Sequence, residues 1–168
     1  FLVYGIAWVY GTTGTMNLDA IGGMHEDGRS ANLQLTPLLF GIALVMVGLG
    51  FKIGAVPMQV WIPDVYQGAP TPITAFLSVG SKAAGFIITT RIVGVYLGAD
   101  ALGHNAAAIL LAVACATLLV GNLAAIPQSN FKRLLAYSSI SHAGFLVLAL
   151  GSGATGGFGL QPSQIVAF

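Results

Sequence analysis

Leu35-Thr-Pro-Leu-Leu-Phe-Gly-Ile-Ala-Leu-Val-Met-Val-Gly-Leu-Gly-Phe-Lys-Ile-Gly-Ala-Val-Pro57 is the stretch that decides the fold. From Leu35 to Gly50 no residue is ionisable, and Lys52 then stands with more apolar sequence behind it. A helix of about 20 apolar residues crosses a hydrocarbon core roughly 30 Å thick. An ammonium near the centre of such a span costs roughly 2.5–3.5 kcal/mol. The pattern repeats from Pro72 to Leu97, where only Lys82 and Arg91 interrupt the apolar run. Two neighbouring spans that each hold a lysine suit the movement of protons.

Working outward, composition agrees with the membrane reading. Charged residues make up 7% of the chain and hydrophobic residues 56%. A soluble domain carries about 25% charged residues, so this chain has too little charge to cover a water-facing surface. Long continuous apolar runs exclude a barrel, whose strands alternate apolar and polar residues. The expected fold class is all-α, a polytopic transmembrane helix bundle. Apart from the pair Lys132–Arg133 there is no basic cluster, so nucleic acid is not an expected partner. Cys115, the single cysteine, lies in an apolar run and reads as a small core residue. The chain opens at Phe1 inside an apolar run without a basic flank, and it reads as a piece of a longer polypeptide.

The whole of residues 1–168 reads as one membrane domain. Its expected spans are about 1–14, 36–61, 72–98, 105–127 and 132–151, with another beginning at 164. Short connections make consecutive spans antiparallel neighbours. The turns Trp61–Thr71 and Gln128–Lys132 therefore share one face, and Asn17–Gln34 and Gly98–Asn105 share the other. Lys132 and Arg133 mark the first face as cytoplasmic by the positive-inside rule.

Span limits give depth. Lys52 lies about nine residues, roughly 13 Å, before the cytoplasmic end of its span. Lys82 and His142 lie about ten residues, roughly 15 Å, from the same face. Three titratable groups thus share one level, an arrangement suited to lateral proton transfer. Burial disfavours a charged ammonium and so brings proton release towards neutral pH, while an imidazole begins near 6.5. The competing readings are structural. A lysine stem of about 6 Å snorkels only part of the way to the interface. His142 serves equally as a hydrogen-bonding residue between helices. Arg91 lies near the far end of its span, within snorkelling reach.

Gly50, Gly54 and Pro57 surround Lys52, and Pro57 has no N–H for the carbonyl of Ile53. Such a group either breaks the helix at mid-depth, as transport proteins do, or merely kinks it. Near Lys82, Gly80, Ser81 and Gly85 permit close packing or a local bulge, with Ser81 a candidate hydrogen-bond donor. The segment Trp61–Thr71 reads as a proline-rich turn with Trp61 and Tyr66 at headgroup level. Asp64 there either caps or salt-bridges locally, or guides protons into the face.

The run Gly50-Phe-Lys-Ile-Gly-Ala-Val-Pro-Met-Gln-Val-Trp-Ile-Pro-Asp-Val-Tyr-Gln-Gly-Ala-Pro-Thr-Pro-Ile-Thr-Ala-Phe-Leu-Ser-Val-Gly-Ser-Lys-Ala-Ala-Gly-Phe86 resembles the antiporter-like membrane subunits of respiratory complex I, the proton-pumping NADH–quinone oxidoreductase. A second stretch, Asn130-Phe-Lys-Arg-Leu-Leu-Ala-Tyr-Ser-Ser-Ile-Ser-His-Ala-Gly-Phe145, is similar to the same family. The sequence Pro63-Asp-Val-Tyr-Gln-Gly-Ala-Pro70 points to its subunit N rather than to subunits L and M. The resemblance implies about fourteen helices, some of them discontinuous, of which this chain holds helices six to ten and the start of the eleventh. It implies that Lys52 and Lys82 are the lysines of the central proton path and that His142 occupies a tenth-helix position. Their family partners, a glutamate on helix five and a lysine on helix twelve, fall outside the chain. Gln59 stands where histidine is more usual, and Phe145 where tyrosine is usual.

By that resemblance the expected function is proton translocation in the cell inner membrane, coupled to electron transfer from NADH to quinone. No cofactor is expected in this chain. NADH, FMN, iron–sulfur clusters and quinone would be handled by other subunits, and the expected partners are neighbouring membrane-arm subunits and the lipid bilayer. The alternatives are a subunit of a multisubunit cation/proton antiporter and a non-conducting structural subunit.

Overall fold

The structure, a computed structural model, describes residues 1–21, 35–97 and 100–154. Most of the connection 17–34 and the expected further span from 164 lie outside the described residues. The described residues form helices: α1 (Leu2–Thr13), α2 (Leu35–Ile53), α3 (Trp61–Gly68), α4 (Thr71–Phe76), α5 (Lys82–Leu97), α6 (Asp100–Ala125) and α7 (Phe131–Ala154). A 3₁₀ turn (Met58–Val60) leads into α3, and a π-helical turn (Leu77–Ser81) joins α4 to α5. Among the described residues, four runs are long and apolar enough to cross a membrane: Thr36–Gly68, Thr71–Val95, Ala106–Ala125 and Phe131–Ser152.

The expected turn at Trp61–Thr71 is instead largely helical, with Trp61–Gly68 forming α3. The physical reason is where its prolines stand. Pro63 lies in the first turn of α3 and Pro72 in the first turn of α4, where a backbone N–H would have no partner within the helix. Proline starts helices there rather than breaking them. Pro70, extended at ψ 144°, separates the two. The span 36–61 consequently runs on to Gly68 as a broken helix. The span expected at 105–127 falls on α6, whose membrane-crossing stretch is Ala106–Ala125 and whose helix begins at Asp100.

Small residues let the helices approach. A Cβ on Gly5 would come within 2.7 Å of Gly41 O and Val45 N, so α1 and α2 touch through backbone. On α6 and α7 a Cβ at Gly121 would meet Ser141 Oγ at 2.6 Å, and one at Gly144 would meet Leu118 Cγ at 2.9 Å. Lipid tails are as apolar as leucine, so close packing of this kind holds membrane helices together. One apolar cluster (Ile53, Phe86, Val93, Leu110, Ala143 and Val147 among its members) joins α2, α5, α6 and α7. A second, built on Ile62, Tyr66, Ala136 and Ile140, docks α3 on α7.

Cys115 is exposed, not in the core as its apolar setting implied. An apolar run in a membrane helix supplies both the packed face and the lipid-facing one, so composition does not separate them.

Glycine replacements give a direct check of the helix packing. Gly121→Ala should destabilise the membrane-embedded protein by about 1–3 kcal/mol through overpacking against Ser141. Gly94→Ala, with nothing within 4 Å of the added Cβ, should be neutral or gain up to about 1 kcal/mol from helix propensity. Thermal unfolding in detergent reads both; equal shifts would contradict the packing described.

Candidate functional site

The break in the second span builds the site. α2 ends at Ile53, and Gly54 follows with φ 79°, the left-handed conformation that closes a helix. Gly54 N–H and Ala55 N–H both donate to Gly50 O at 2.9 Å. Of the two expected readings at Pro57, a harmless kink or a break, the structure has the break. Backbone groups freed at this depth need partners, because lipid offers none. Val56 N–H donates to Thr117 Oγ1 at 3.0 Å, and the same hydroxyl donates to Val113 O at 2.6 Å. Thr117 is fully buried on α6. Trp61 Nε1–H reaches back across the break to Phe51 O at 3.0 Å, its ring stacked on Phe51 at 5.3 Å between centroids. Trp61 is thus a clamp on the break rather than a headgroup anchor.

Lys52 stands in the last turn of α2. The C-terminal end of a helix carries partial negative charge and favours a cation. That interaction offsets part of the cost of the ammonium. With the run extending to Gly68, Lys52 lies at the middle of its span, the level expected for it. Its side chain is exposed, with no hydrogen bond or ion pair to any described residue. Its stem passes α5: a Cβ on Gly85 would lie 3.5 Å from Lys52 Cγ and 2.8 Å from Ile53 Cγ2. The second span therefore ends its first half directly on the helix that begins with Lys82.

Lys82 is enclosed, 8% exposed. It follows the π-helical turn Leu77–Ser81, a wide turn of the kind that often marks functional positions. Ser81, the expected donor, makes no hydrogen bond here; Ser78 Oγ donates instead to Ala75 O. Lys82 Nζ donates to Ser139 O at 2.8 Å and also to Ser139 Oγ. Both acceptors are neutral, and no carboxylate among the described residues lies within ion-pair distance of the ammonium.

His142 is exposed on α7, near the middle of its span. No hydrogen bond or ion pair joins it to either lysine. The structure thus sets Lys52 and Lys82 on touching helices and leaves His142 on a free face of the described residues. Arg91 Nη2 lies 3.8 Å from Asp19 Oδ1, both side chains well exposed. That contact joins α5 to the segment after α1.

At the other end, Arg133 bonds Asp64 Oδ1 and Gln67 Oε1, each at 3.0 Å. Lys132 Nζ donates to Ala69 O at 3.1 Å. Segments 61–71 and 128–133 therefore lie on one face, and Asp64 takes its local, salt-bridging role. Asn130 Oδ1 caps α7 by accepting Lys132 N–H at 3.0 Å.

Three side chains that sequence reasoning did not single out shape the site: Thr117, Ser139 and, in a buried role, Tyr66. The hydroxyl-rich run Tyr137-Ser-Ser-Ile-Ser-His142 carried a signal for Ser139; Thr117, alone in an apolar helix, carried almost none. An apolar cavity of about 430 Å³ lies beside the break, walled by Met46, Ile53, Pro57, Val93, Leu110 and Val147. Neither lysine lines it, and walls of this kind do not retain water. Among the described residues no three His, Cys, Asp or Glu side chains converge as metal ligands would.

A family model described as NADH:quinone oxidoreductase/Mrp antiporter, TM, matches residues 1–164. The chain is 48% identical over 162 residues to NADH-quinone oxidoreductase subunit N 2 of Roseiflexus castenholzii, covering 96% of this chain and 32% of that one. It is 43% identical over 167 residues to subunit N of Thiobacillus denitrificans, covering 99% and 34%. It spans about a third of the length of these relatives. Among solved structures it is similar to a chain of respiratory complex I from Thermus thermophilus (38% identity, TM-score 0.69, covering 89% of this chain and 30% of that one). It is also similar to a chain of the Mrp complex from Dietzia (26% identity, TM-score 0.76, covering 89% and 26%).

Thr117→Val keeps the shape of the side chain and removes the acceptor for Val56 N–H. It should cost about 1–3 kcal/mol, the penalty of an unsatisfied buried donor, whereas Thr117→Ser should stay near wild type. Thermal unfolding of both variants checks this; a Val variant as stable as the Ser variant would mean that the bond does not hold the break.

Proposed function

This chain belongs to the transmembrane family of NADH:quinone oxidoreductases and Mrp antiporters, and from that premise we propose that it carries the central part of a proton path in a complex I subunit N. The observation that carries the reading is Lys82: an enclosed ammonium held by two neutral oxygens of one serine, without a carboxylate partner among the described residues. Inside a membrane an ionisable group placed in this way is kept for ion or proton movement by default. Neutral acceptors leave the proton free to leave, where a tight carboxylate pair would hold it.

Lys52 complements it. The helix end that stabilises its cation abuts the helix of Lys82, so protons pass between the two at mid-depth. Its exposed side chain is free to meet the helix-five glutamate that the family resemblance supplies from outside the chain. His142 is a further relay position on α7. Redox cofactors belong to other subunits, the protein lies in the cell inner membrane, and the face of residues 61–71 and 128–133 is cytoplasmic. The Mrp-type antiporter is the second reading, favoured by the similarity in fold to the Dietzia complex. The higher identity to subunit N sequences supports the first.

Lys52→Met should slow proton pumping and NADH–quinone turnover together in inverted membrane vesicles. The loss expected is on the order of 10²-fold, the contribution of a positioned acid–base group. Lys52→Arg should not restore them, since a guanidinium does not give up its proton. Wild-type rates of both processes in the Met variant would refute the reading. For orientation, a cysteine at Gln67 should label from the cytoplasmic side of sealed cells and not from outside; labelling from outside inverts the topology.

A further inference from the structure

Ser139 meets Lys82 Nζ twice, through its carbonyl oxygen at 2.8 Å and through its hydroxyl. The two oxygens differ chemically. The carbonyl lies inside α7 and only accepts. The hydroxyl has a hydrogen of its own as well as two lone pairs, so it accepts or donates. Serine and threonine hydroxyls inside helices commonly give that hydrogen to a carbonyl three or four residues back. Thr89, Thr90 and Thr117 do so here, to Gly85 O, Phe86 O and Val113 O. Among the described residues no backbone carbonyl takes the hydrogen of Ser139, whose hydroxyl accepts from Lys82. That hydrogen is therefore uncommitted to the backbone, beside an amine enclosed at 8% exposure.

We propose that the Ser139 hydroxyl keeps Lys82 hydrogen-bonded in both of its protonation states, accepting from the ammonium and donating to the neutral amine. This rests on the proton-path reading given above. As an ammonium, Lys82 gives one N–H to the Ser139 carbonyl and one to the hydroxyl, and neither oxygen takes the third. That third bond is the one that breaks. Its electron pair stays on Nζ as a lone pair, and its proton leaves along the proposed path to the neutral amine of Lys52. The Lys82 amine then turns about its Cε–Nζ bond, keeps one N–H on the carbonyl and presents the lone pair to Ser139. The hydroxyl rotates its hydrogen onto that lone pair. No bond of Ser139 is made or broken, so it carries no proton and is a positioning residue. A carboxylate in its place would only accept, and would favour the ammonium alone. With no hydroxyl there, the ammonium keeps the carbonyl as acceptor, but the neutral amine buries a lone pair without a donor. Proton release is then opposed.

The test records infrared difference spectra of the assembled complex, turning over against resting, with ¹⁸O-labelled serine, and measures proton pumping in the same preparations. Wild type, Lys82→Met, Ser139→Ala and Ser139→Thr are compared. The proposal predicts a label-sensitive serine O–H stretch that moves to lower frequency on turnover, as the hydroxyl begins to donate to nitrogen. That shift should be absent in Lys82→Met and in Ser139→Ala. Pumping should fall on the order of tenfold in Ser139→Ala, the effect of a buried group left unmatched. Ser139→Thr should restore it by returning the hydroxyl. Pumping lost in Ser139→Ala and restored in Ser139→Thr, with no serine band shifting in wild type, overturns the proposal, because the hydroxyl would then only anchor the ammonium. Wild-type pumping in Ser139→Ala, with pumping lost in Lys82→Met, also overturns it and leaves the proton path standing. Wild-type pumping in Lys82→Met overturns both. The spectral comparison of wild type with Lys82→Met needs no change at Ser139, so it decides the matter even where Ser139→Ala fails to fold.

Discussion

A helix interrupted inside a membrane must find partners for the backbone groups it frees, and the arrangement of this chain follows from how that is done. Gly54 closes α2 in a left-handed turn, Thr117 takes the freed N–H of Val56, and Trp61 donates to Phe51 O. Each partner ties the break to a different part of the molecule. Thr117 fixes it to α6, and Trp61 ties the start of the second half of the span to the last turn of the first. The resulting path lays Ile62 and Tyr66 against α7. It also leaves the negative end of α2 at mid-span, where Lys52 stands.

The two lysines that look alike in sequence are made unlike by this geometry. Lys82 is enclosed and bound to Ser139, while Lys52 is exposed among the described residues with its stem on Gly85. Burying a charge without a counter-ion is costly. Lys82 lowers that cost with two charge-assisted hydrogen bonds to neutral oxygens, which stabilise the ammonium less firmly than a carboxylate would. On the proposed proton path, a group held in this way both keeps a proton and releases it. Lys52 stands at a helix end instead, exposed among the described residues.

Much of this was legible in the residues. Apolar runs marked the spans, Gly54 and Pro57 left a break or a kink open, and Lys52 and Lys82 stood out because an ammonium in hydrocarbon is expensive. Other features were hidden for identifiable reasons. The prolines of 61–72 suggested a turn, but their effect depends on whether each falls in the first turn of a helix, and Pro63 and Pro72 do. A tyrosine among polar residues commonly sits at the interface, yet α3 carries Tyr66 under α7. Cys115 was misplaced because lipid and core ask for the same residues. Thr117 and Ser139 depend on contacts more than 50 residues apart in sequence, which local pattern does not contain.

The account stands or falls on whether Lys82 gives up and regains its proton while the complex works. Infrared difference spectra of turning-over against resting complex, recorded with ¹⁵N-labelled lysine, report ammonium loss and gain directly. The account predicts a ¹⁵N-sensitive band that changes on turnover and disappears in Lys82→Met. Identical difference spectra for wild type and Lys82→Met would show that this lysine keeps a fixed charge, and would contradict it.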